Sequence, residues 1–210
     1  MITIVCVLKY GGIYTKDYVK KLMHGVERNT TIPYKFVCLT DITIDFCETI
    51  PLTDNLKGWW SKIELFRPNL FDTDRVVYFD LDTVIVGNID KYLQQDYDFI
   101  GLQDFYKVTF LNPYNIASGI LSWRNNGKFD FLYNEFARTK KYYRGDQNYI
   151  SDKFREKEIK ANHWQFLVAG IVSYKVHCKQ ALPDKAKIVC FHGRPRPNEV
   201  KTGWMEEHWV

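Results

Sequence analysis

Two carboxylates, Asp80 and Asp82, follow the strongly apolar run Arg75–Phe79 and have the residue type and spacing for metal chemistry. Such a run predicts a buried strand, and in open α/β sheets ligands collect beyond the carboxyl ends of strands. Residues two apart on an extended chain project to the same side, so both carboxylates are expected to face one cation while Leu81 points into the core. Carboxylate oxygens favour Mn²⁺ or Mg²⁺. The sequence therefore predicts a divalent metal site, with a strand end that merely starts a turn as the alternative.

A divalent ion held by two carboxylates keeps open positions for substrate phosphates, so a further ligand and positive charge are expected nearby. The segment 190–197 offers both. His192 is a possible third metal ligand, and Gly193 followed by Arg194 and Arg196 would hold two guanidinium groups toward a pyrophosphate. The alternative is a surface turn with solvated arginines and a histidine in the core.

Two predicted helices carry polar residues that suit the binding of a sugar or a phosphate. Lys62 lies within the helix expected at residues 59–66, from which it could contact donor hydroxyls or phosphate. Asp146 and Gln147 begin another helix, where Asp146 is a plausible N-cap and Gln147 a ligand for sugar hydroxyls. An ordinary surface lysine and a purely capping aspartate are the alternatives.

Small and aromatic residues mark two places where a nucleotide could approach the backbone. Ser118 and Gly119 interrupt a predicted strand, as expected where the backbone lies against a ligand, and a β-bulge is the alternative. Leu8, Tyr10 and Tyr14 lie at the end of the first predicted strand, where a tyrosine could stack on a base.

Alternating strand and helix patterns predict the scaffold that must position these residues. Strands are expected at residues 2–9, 34–39, 75–79, 97–102, 116–123 and 187–191. Helices are expected at residues 15–28, with Thr15 as the N-cap, and at 59–66, 128–138 and 146–154. The alternation implies one α/β domain over residues 1–210, with a mixed, mainly parallel sheet flanked by helices.

The composition excludes several classes of function. The 210 residues carry a net charge of +4, which is too mild to indicate a nucleic-acid partner. Five cysteines, Cys6, Cys38, Cys47, Cys178 and Cys190, are widely spaced and include no Cys-x-x-Cys pair, so free thiols in a reducing compartment are expected rather than a zinc site. No apolar run approaches membrane-spanning length. We therefore expect a cytoplasmic protein, and the sequence leaves its oligomeric state open.

Taken together, these features resemble the nucleotide-sugar-dependent glycosyltransferases of the GT-A fold, particularly the glycogenin and bacterial galactosyltransferase group known as family 8. The resemblance spans nearly the whole chain and implies a single Rossmann-like domain. In chain order, the motifs that carry it are Lys62, Asp80 with Asp82, Ser118-Gly119, Asp146-Gln147 and His192-Gly193. The chain also looks similar to compact transferase domains encoded by large DNA viruses, which implies the host cytoplasm as its location.

The resemblance implies metal-dependent transfer of a hexose from a UDP-sugar to a saccharide or other hydroxyl acceptor, with retention of the anomeric configuration. It implies that Asp80, Asp82 and His192 bind Mn²⁺, or Mg²⁺ in its place, and that this ion bridges the UDP phosphates. The implied catalytic group is Lys62, Asp146 and Gln147. The remaining residues of the implied UDP-sugar site are Leu8, Tyr10, Tyr14, Leu81, Ser118, Gly119, Gly193, Arg194 and Arg196.

The sequence departs from the family pattern at two motifs. His192 stands directly before Gly193, whereas the family usually has two residues between them, and Arg-Pro-Arg-Pro follows in place of a Lys-Pro-Trp ending. Ala117 occupies the place of the asparagine that usually begins the segment of small residues. The first departure concerns the implied third metal ligand, His192. The second concerns the segment of small residues that is implied to bind the UDP-sugar.

Other interpretations of the same residues remain open. In a haloacid-dehalogenase-like phosphatase, Asp80 would be the phosphorylated nucleophile and Asp82 the acid. A non-enzymatic carbohydrate-binding module would use the 6 Trp and 14 Tyr residues for stacking on sugars. An inverting glycosyltransferase would need a carboxylate base, for which Asp146 and Asp104 are candidates.

Overall fold

A computed structural model describes residues 1–139, 142–201 and 203–210. In this part of the chain the strands are β1 (Ile2–Leu8), β2 (Tyr34–Thr40), β3 (Glu48–Pro51), β4 (Arg75–Phe79), β5 (Thr83–Ile85), β6 (Phe99–Leu102), β7 (Ala117–Arg124), β8 (Asn162–His163), β9 (Ile171–Ser173) and β10 (Ile188–Cys190). The α-helices are α1 (Lys16–Asn29), α2 (Asp90–Leu93), α3 (Phe131–Asn134), α4 (Asp146–Glu156), α5 (Trp164–Leu167), α6 (Tyr174–His177) and α7 (Gly203–His208). The stretches Gly58–Phe66, Phe136–Arg138 and Pro197–Glu199 form 3₁₀-helices.

The strands form two sheets. The larger has the order β3-β2-β1-β4-β7-β6-β8, and the smaller has the order β5-β10-β9. In the larger sheet β1 pairs in parallel with β2 and β4, β2 with β3, and β6 with β8, while β7 runs antiparallel to both β4 and β6. This topology confirms the expected mixed, mainly parallel sheet of an α/β domain.

The larger sheet is buried on both faces, which explains the near-continuous apolar composition of its central strands. Along β1, Ile4, Cys6 and Leu8 pack into one core, and Val5 packs into a second core on the opposite face. This alternation follows from the two-residue period of a strand. Every residue of β4 is buried, since this strand lies at the centre of the sheet.

The strand β4 has the predicted bounds, and most other predicted elements differ from the observed ones by one or two residues. The α-helix expected at residues 59–66 is wrong in type, because Gly58–Phe66 is a 3₁₀-helix in which Ser61 and the five residues that follow are all buried. Such continuous burial gives no solvent-facing stripe of the 3.6-residue period. The helix expected at residues 128–138 is interrupted between α3 and the 3₁₀-helix that follows it.

Several short strands could not be predicted from the sequence. Strand β3 is an edge strand that exposes three of its four residues, so it lacks the apolar alternation that marks a strand, and Pro51 is tolerated at this edge. Strands β5 and β9 have only three residues each, and they are recognisable as strands because both pair with β10. Pairing between segments far apart in the chain is not encoded in local composition.

The expectations about cysteines and membrane spans can also be compared with the structure. All five cysteines are free thiols, and Cys6, Cys38 and Cys190 are buried as predicted. In the described ranges, no helix combines the length and the apolar character needed to cross a bilayer.

Candidate functional site

The candidate site lies at the edge of the larger sheet where the parallel strands β1 and β4 have their carboxyl ends. Because β7 runs antiparallel to β4 and pairs Ile120 with Phe79, the start of β7 lies beside the residues that follow β4. The backbone N–H of Asp80 donates to the carbonyl of Gly119 over 2.8 Å. Ser118 and Asp80, which are far apart in the chain, are therefore brought together by strand pairing.

A tight turn presents the two aspartates. The N–H of Thr83 donates to the carbonyl of Asp80 over 3.0 Å, which closes a four-residue turn before β5 begins. Asp80 and Asp82 therefore lie in a turn that follows the end of β4 at Phe79, and the expectation that they lie on an extended chain is wrong. Leu81 is buried in the core between them, as predicted.

The ammonium of Lys62 lies in a buried group of polar side chains. Its Nζ is 2.9 Å from Oδ1 of Asp80, 3.1 Å from Oδ2 of Asp146 and 3.2 Å from Oγ of Ser118. The Ser118 hydroxyl in turn donates to Oδ2 of Asp146 over 2.5 Å. Burial disfavours the charged ammonium, but the charges of Asp146 and Asp80 outweigh it and raise the pKa of Lys62. Lys62 is thus a buried ion-pair partner rather than an ordinary surface lysine.

Two tyrosine hydroxyls complete the contacts of the aspartates. Tyr78 donates to Oδ1 of Asp80, and Tyr14 donates to Oδ2 of Asp82 over 2.6 Å. Burial and the charge of Asp80 together raise the pKa of Asp82 to about 7. Tyr78 is not among the predicted site residues, although its position two residues before Asp80 is a usable signal. Tyr14 was expected to stack on a base, but its hydroxyl contacts the second aspartate.

The charges of this group suit a divalent cation. The buried Lys62 pairs with Asp80 and Asp146, and a third carboxylate, that of Asp82, lies beside them with a tyrosine hydroxyl as its partner. An excess of carboxylate oxygens is the donor chemistry that Mn²⁺ and Mg²⁺ prefer. Over the described ranges, no three His, Cys, Asp or Glu side chains cluster tightly enough to form a complete metal site.

His192 lies next to the turn that carries Asp82. The antiparallel pairing of β10 with β5 continues past the strand ends, so that the N–H of Phe191 donates to the carbonyl of Asp82 over 3.3 Å. The Nε2 atom of His192 is 2.8 Å from Oγ of Ser173, and its ring stacks on Phe105 with 6.4 Å between the centroids. Burial lowers the pKa of His192 and so favours the neutral imidazole, the form that binds metals.

The residues after His192 differ in their surroundings. Gly193 has a φ of +72°, a left-handed conformation that favours glycine. Arg194 is exposed, and its Nη1 lies 2.8 Å from Oε1 of Glu199. Arg196 is mostly buried and lies near Tyr14, where its charge opposes the effects of burial and of the neighbouring carboxylates on the tyrosine pKa. Arg196 therefore lies near the tyrosine hydroxyl that contacts Asp82.

The remaining predicted residues occupy different positions. Leu8 is fully buried in the core, whereas Tyr10 and Gln147 are exposed. The expectation that Asp146 caps α4 is wrong, because Gly145 occupies the N-cap position and Asp146 is the first helical residue. Its carboxylate is instead held in the buried ion pair described above. Thr15 does occupy the N-cap position of α1, but its side chain makes no capping hydrogen bond.

No protein-family model matches the sequence, and no curated protein matches it either. Solved structures do match the fold. The glycosyltransferase GlyE of Streptococcus pneumoniae TIGR4 is 12% identical, with a TM-score of 0.66 over 97% of this chain and 59% of its own. The galactosyltransferase LgtC, solved with donor and acceptor sugar analogues, is 12% identical, with a TM-score of 0.62 over 93% of this chain and 88% of its own. This chain shares the fold of these two glycosyltransferases.

A third solved structure has a similar fold. The bifunctional glycosyltransferase WbbM in its apo form is 13% identical, with a TM-score of 0.65 over 98% of this chain and 50% of its own. The chain thus spans about three fifths of GlyE and half of WbbM. At such low identity the similarity concerns the fold, and the activity of this chain is a separate question.

Proposed function

We propose that this chain is a metal-dependent glycosyltransferase that moves a hexose from a UDP-sugar to a saccharide or other hydroxyl acceptor. The observation that carries the proposal is the buried group of Lys62, Asp80 and Asp146 beside the Asp82 turn, located at a sheet edge of a glycosyltransferase fold. Ligands of α/β sheets bind beyond the carboxyl ends of strands, which is where this group lies.

In this proposal Asp80 and Asp82 hold the metal ion, Mn²⁺ or Mg²⁺, and His192 is the candidate for a third ligand. When bound, the ion supplies positive charge that stabilises the diphosphate leaving group. Arg196 and Arg194 would add positive charge on the phosphates. For Arg194 to do so, its contact with Glu199 would have to be exchanged for one with the substrate.

Asp146 is the residue that we expect to bind the donor sugar. Lys62 and Ser118 both contact its Oδ2, so Oδ1 is the oxygen available to accept a hydrogen bond from a sugar hydroxyl. Lys62 fixes this carboxylate and offsets its negative charge, so its role is positioning as well as charge. Gln147, exposed beside Asp146, would add an amide contact to the same sugar.

We propose retention of the anomeric configuration. Asp146 is engaged by Lys62 and Ser118, which makes it a poor general base, and retention with attack from the leaving-group side needs little help from a base. An inverting reaction would use Asp104 instead, on the loop after β6. Identification of the product anomer by NMR decides between the two, and an inverted product together with loss of turnover in Asp104→Asn would overturn this assignment.

Asp82→Asn tests the metal assignment. We expect Mn²⁺-dependent hydrolysis of a UDP-sugar to fall by about a hundredfold or more, because one carboxylate ligand and its charge are removed. The far-UV circular dichroism spectrum should be unchanged. The matched control is Asp98→Asn, which alters an exposed aspartate at the opposite edge of the sheet and should retain activity. Near-normal turnover in Asp82→Asn would contradict the assignment.

The two other interpretations have direct tests. A phosphatase that uses Asp80 as a nucleophile should be stabilised against heat by Mg²⁺ with beryllofluoride, whereas the transferase should be stabilised by UDP with Mn²⁺. The positions of Lys62 and Tyr78, both on Oδ1 of Asp80, favour the transferase because they restrict this oxygen as a nucleophile. Hydrolysis of a UDP-sugar would exclude a binding module without enzymatic activity.

A further inference from the structure

Exposed apolar side chains are concentrated around the candidate site. Twelve large apolar residues are exposed in the described part of the chain. Met1 and Val210 are terminal, and Tyr97 precedes β6 at the opposite edge of the larger sheet. The other nine, called here the apolar rim, are Tyr10, Ile13, Trp59, Tyr106, Val108, Phe110, Leu111, Tyr142 and Val176.

The topology places eight members of the apolar rim at the site edge, and the ninth, Val176, precedes His177, whose ring lies 6.0 Å from that of Phe105 in the loop after β6. Tyr10 and Ile13 follow β1, which is parallel to β4, and Trp59 belongs to the 3₁₀-helix that carries Lys62. Tyr142 precedes Gly145 at the start of α4. Four members lie in the loop from β6 to β7, which begins and ends at this edge because β6 and β7 are antiparallel and pair Leu102 with Ala117. Such clustering around one site is not the scattered exposure that single apolar residues show on any protein.

The loop between β6 and β7 carries the most exposed members. Phe110 is 80% exposed and Leu111 is 93% exposed, although Phe110 stacks on Phe166 with 3.7 Å between the ring centroids. Tyr106 and Val108 are exposed in the same loop. Two adjacent bulky apolar side chains at this level of exposure are unfavourable in water and indicate a surface that is covered by a partner.

The loop is held in this conformation by a buried glutamine. The Nε2 atom of Gln103 donates to the carbonyls of Thr109 (2.9 Å) and Asn112 (3.1 Å), and its Oε1 accepts from the N–H of Thr109 (2.7 Å). Gln165 exchanges two further hydrogen bonds with the backbone of Gln103. The side chains of Phe110 and Leu111 are therefore presented by an ordered loop.

The chemistry of the apolar rim distinguishes between possible partners. Saccharides stack on aromatic rings, but Ile13, Val108, Leu111 and Val176 have no ring face and match hydrocarbon instead. Hydrocarbon bounded by charge is characteristic of a phospholipid bilayer.

Basic residues accompany the apolar side chains. Lys107 is exposed between Tyr106 and Val108, and Arg144 is exposed near Tyr142. The guanidinium of Arg155 lies over the ring of Tyr114 at the base of the loop, 5.8 Å from its centroid. This arrangement of apolar tips with cations beside them is complementary to anionic headgroups above an acyl layer.

We propose that the apolar rim docks on an anionic phospholipid membrane, with Phe110 and Leu111 inserted at the headgroup level. The candidate site then faces the membrane surface. If the proposed transferase function holds, the acceptor is presented at that surface. The docking itself does not depend on that function and is measured without any nucleotide.

The test is co-sedimentation of the full chain with vesicles. We expect binding to vesicles of phosphatidylcholine mixed with phosphatidylglycerol, and weaker binding to phosphatidylcholine alone. Added salt should weaken the binding to the anionic vesicles, because it screens the contribution of Lys107 and Arg144. Failure of the chain to sediment with anionic vesicles at low salt would overturn the proposal.

Paired variants localise the contact. The double variant Phe110→Ser, Leu111→Ser should lose at least about tenfold in vesicle affinity, because two apolar side chains no longer enter the bilayer. The control Tyr97→Ser, at the opposite edge of the sheet, should bind like the unaltered chain. Equal loss in both variants, or no loss in the double variant, would contradict the proposal. The melting temperature of the double variant should fall only slightly, because both side chains are mostly exposed and the stacking of Phe110 on Phe166 is the one ring contact that is lost.

The same variants also test two other partners for the apolar rim. Concentration-dependent dimerisation in sedimentation velocity that the double variant abolishes would replace the membrane by a second copy of the chain. Competition by soluble oligosaccharides for the vesicle-binding surface would replace it by a saccharide. Stabilisation by UDP with Mn²⁺ in a thermal shift experiment reports on the proposed transferase separately, so failure of one proposal is distinguishable from failure of the other.

Discussion

At the scale of single residues, Lys62 is the central feature of the candidate site. Its ammonium is buried with two carboxylates, Asp80 and Asp146, which are themselves removed from most of the solvent. A buried charge is tolerable only when it is paired and hydrogen-bonded, so each member of this group depends on the others. Replacement of the lysine therefore affects stability as well as activity.

Lys62→Met should reduce the free energy of unfolding by about 3–5 kcal/mol in metal-free buffer at neutral pH, because it leaves buried carboxylates without a cation. Urea denaturation measures the change. The matched control is Lys128→Met, which removes an exposed ion-pair partner of Asp98. This variant should reduce the free energy of unfolding by less than about 1 kcal/mol. Equal effects of the two variants would show that Lys62 is not an essential ion-pair partner.

A second consequence concerns coupling between residues. Combining Lys62→Met with Asp146→Asn should restore part of the lost stability, because the amide carries no charge that needs compensation. A double-mutant cycle in urea gives the interaction free energy. If the two effects simply add, the ion pair between Lys62 and Asp146 contributes no measurable coupling.

At the scale of elements, loops are fixed by a few buried polar side chains. Gln103, fully buried, makes three hydrogen bonds to the backbone of the loop between β6 and β7. Gln103→Ala should cost about 1–3 kcal/mol, because these backbone groups lose their partners, and it should accelerate amide hydrogen exchange at Thr109. Gln95→Ala, which removes an exposed hydrogen bond to Lys91, is the control and should leave exchange in this loop unchanged.

A carboxylate at the start of α2 holds the chain that follows the end of α1. Asp90 accepts hydrogen bonds from Thr30 Oγ1, from the N–H and Oγ1 of Thr31, and from Asn88. The hydrogen bonds from Thr30 and Asn88 are the main reasons why the pKa of Asp90 lies well below its usual range.

A group whose pKa is lowered by folding stabilises the protein above its unfolded pKa and loses that contribution as the pH falls through its folded pKa. The stability difference between the unaltered chain and Asp90→Asn should therefore be full at pH 7 and shrink as the pH falls below about 4. Urea denaturation across this range measures it. A difference that grows on acidification would contradict the role given to the carboxylate.

At the scale of the whole molecule, one sheet joins two cores. Ile188 belongs to the core that contains Ile4, and Leu132 belongs to the core that contains Val5, on the opposite face of β1. Because both cores use the same central strands, we expect them to unfold together. Ile188→Ala and Leu132→Ala should each cost about 2–5 kcal/mol.

Each variant should retain one urea transition, in which far-UV circular dichroism and tryptophan fluorescence change together. The tryptophans report on both cores, because Trp164 lies in one and Trp123 in the other. Separated transitions in either variant would show that the two cores are independent folding units.

The sequence by itself determined the strands with strong local composition and the chemistry that follows them. The bounds of β4 and the burial of Leu81 could be predicted because each depends on residues close together in the chain. The α/β class followed from the alternation of patterns. An apolar run predicts burial wherever it is placed in the fold.

Only the tertiary structure decided which distant residues meet. Tyr14 contacts Asp82 across 68 positions of the chain, and Lys62 reaches Ser118 across 56. These contacts depend on the order and direction of strands, which bring the ends of β1 and β4 and the start of β7 to one edge. Local propensity contains no information about that order, because hydrogen bonds between strands connect segments of any separation. For the same reason the helix start at Asp146 predicted a cap, whereas the fold directs this carboxylate to a buried lysine.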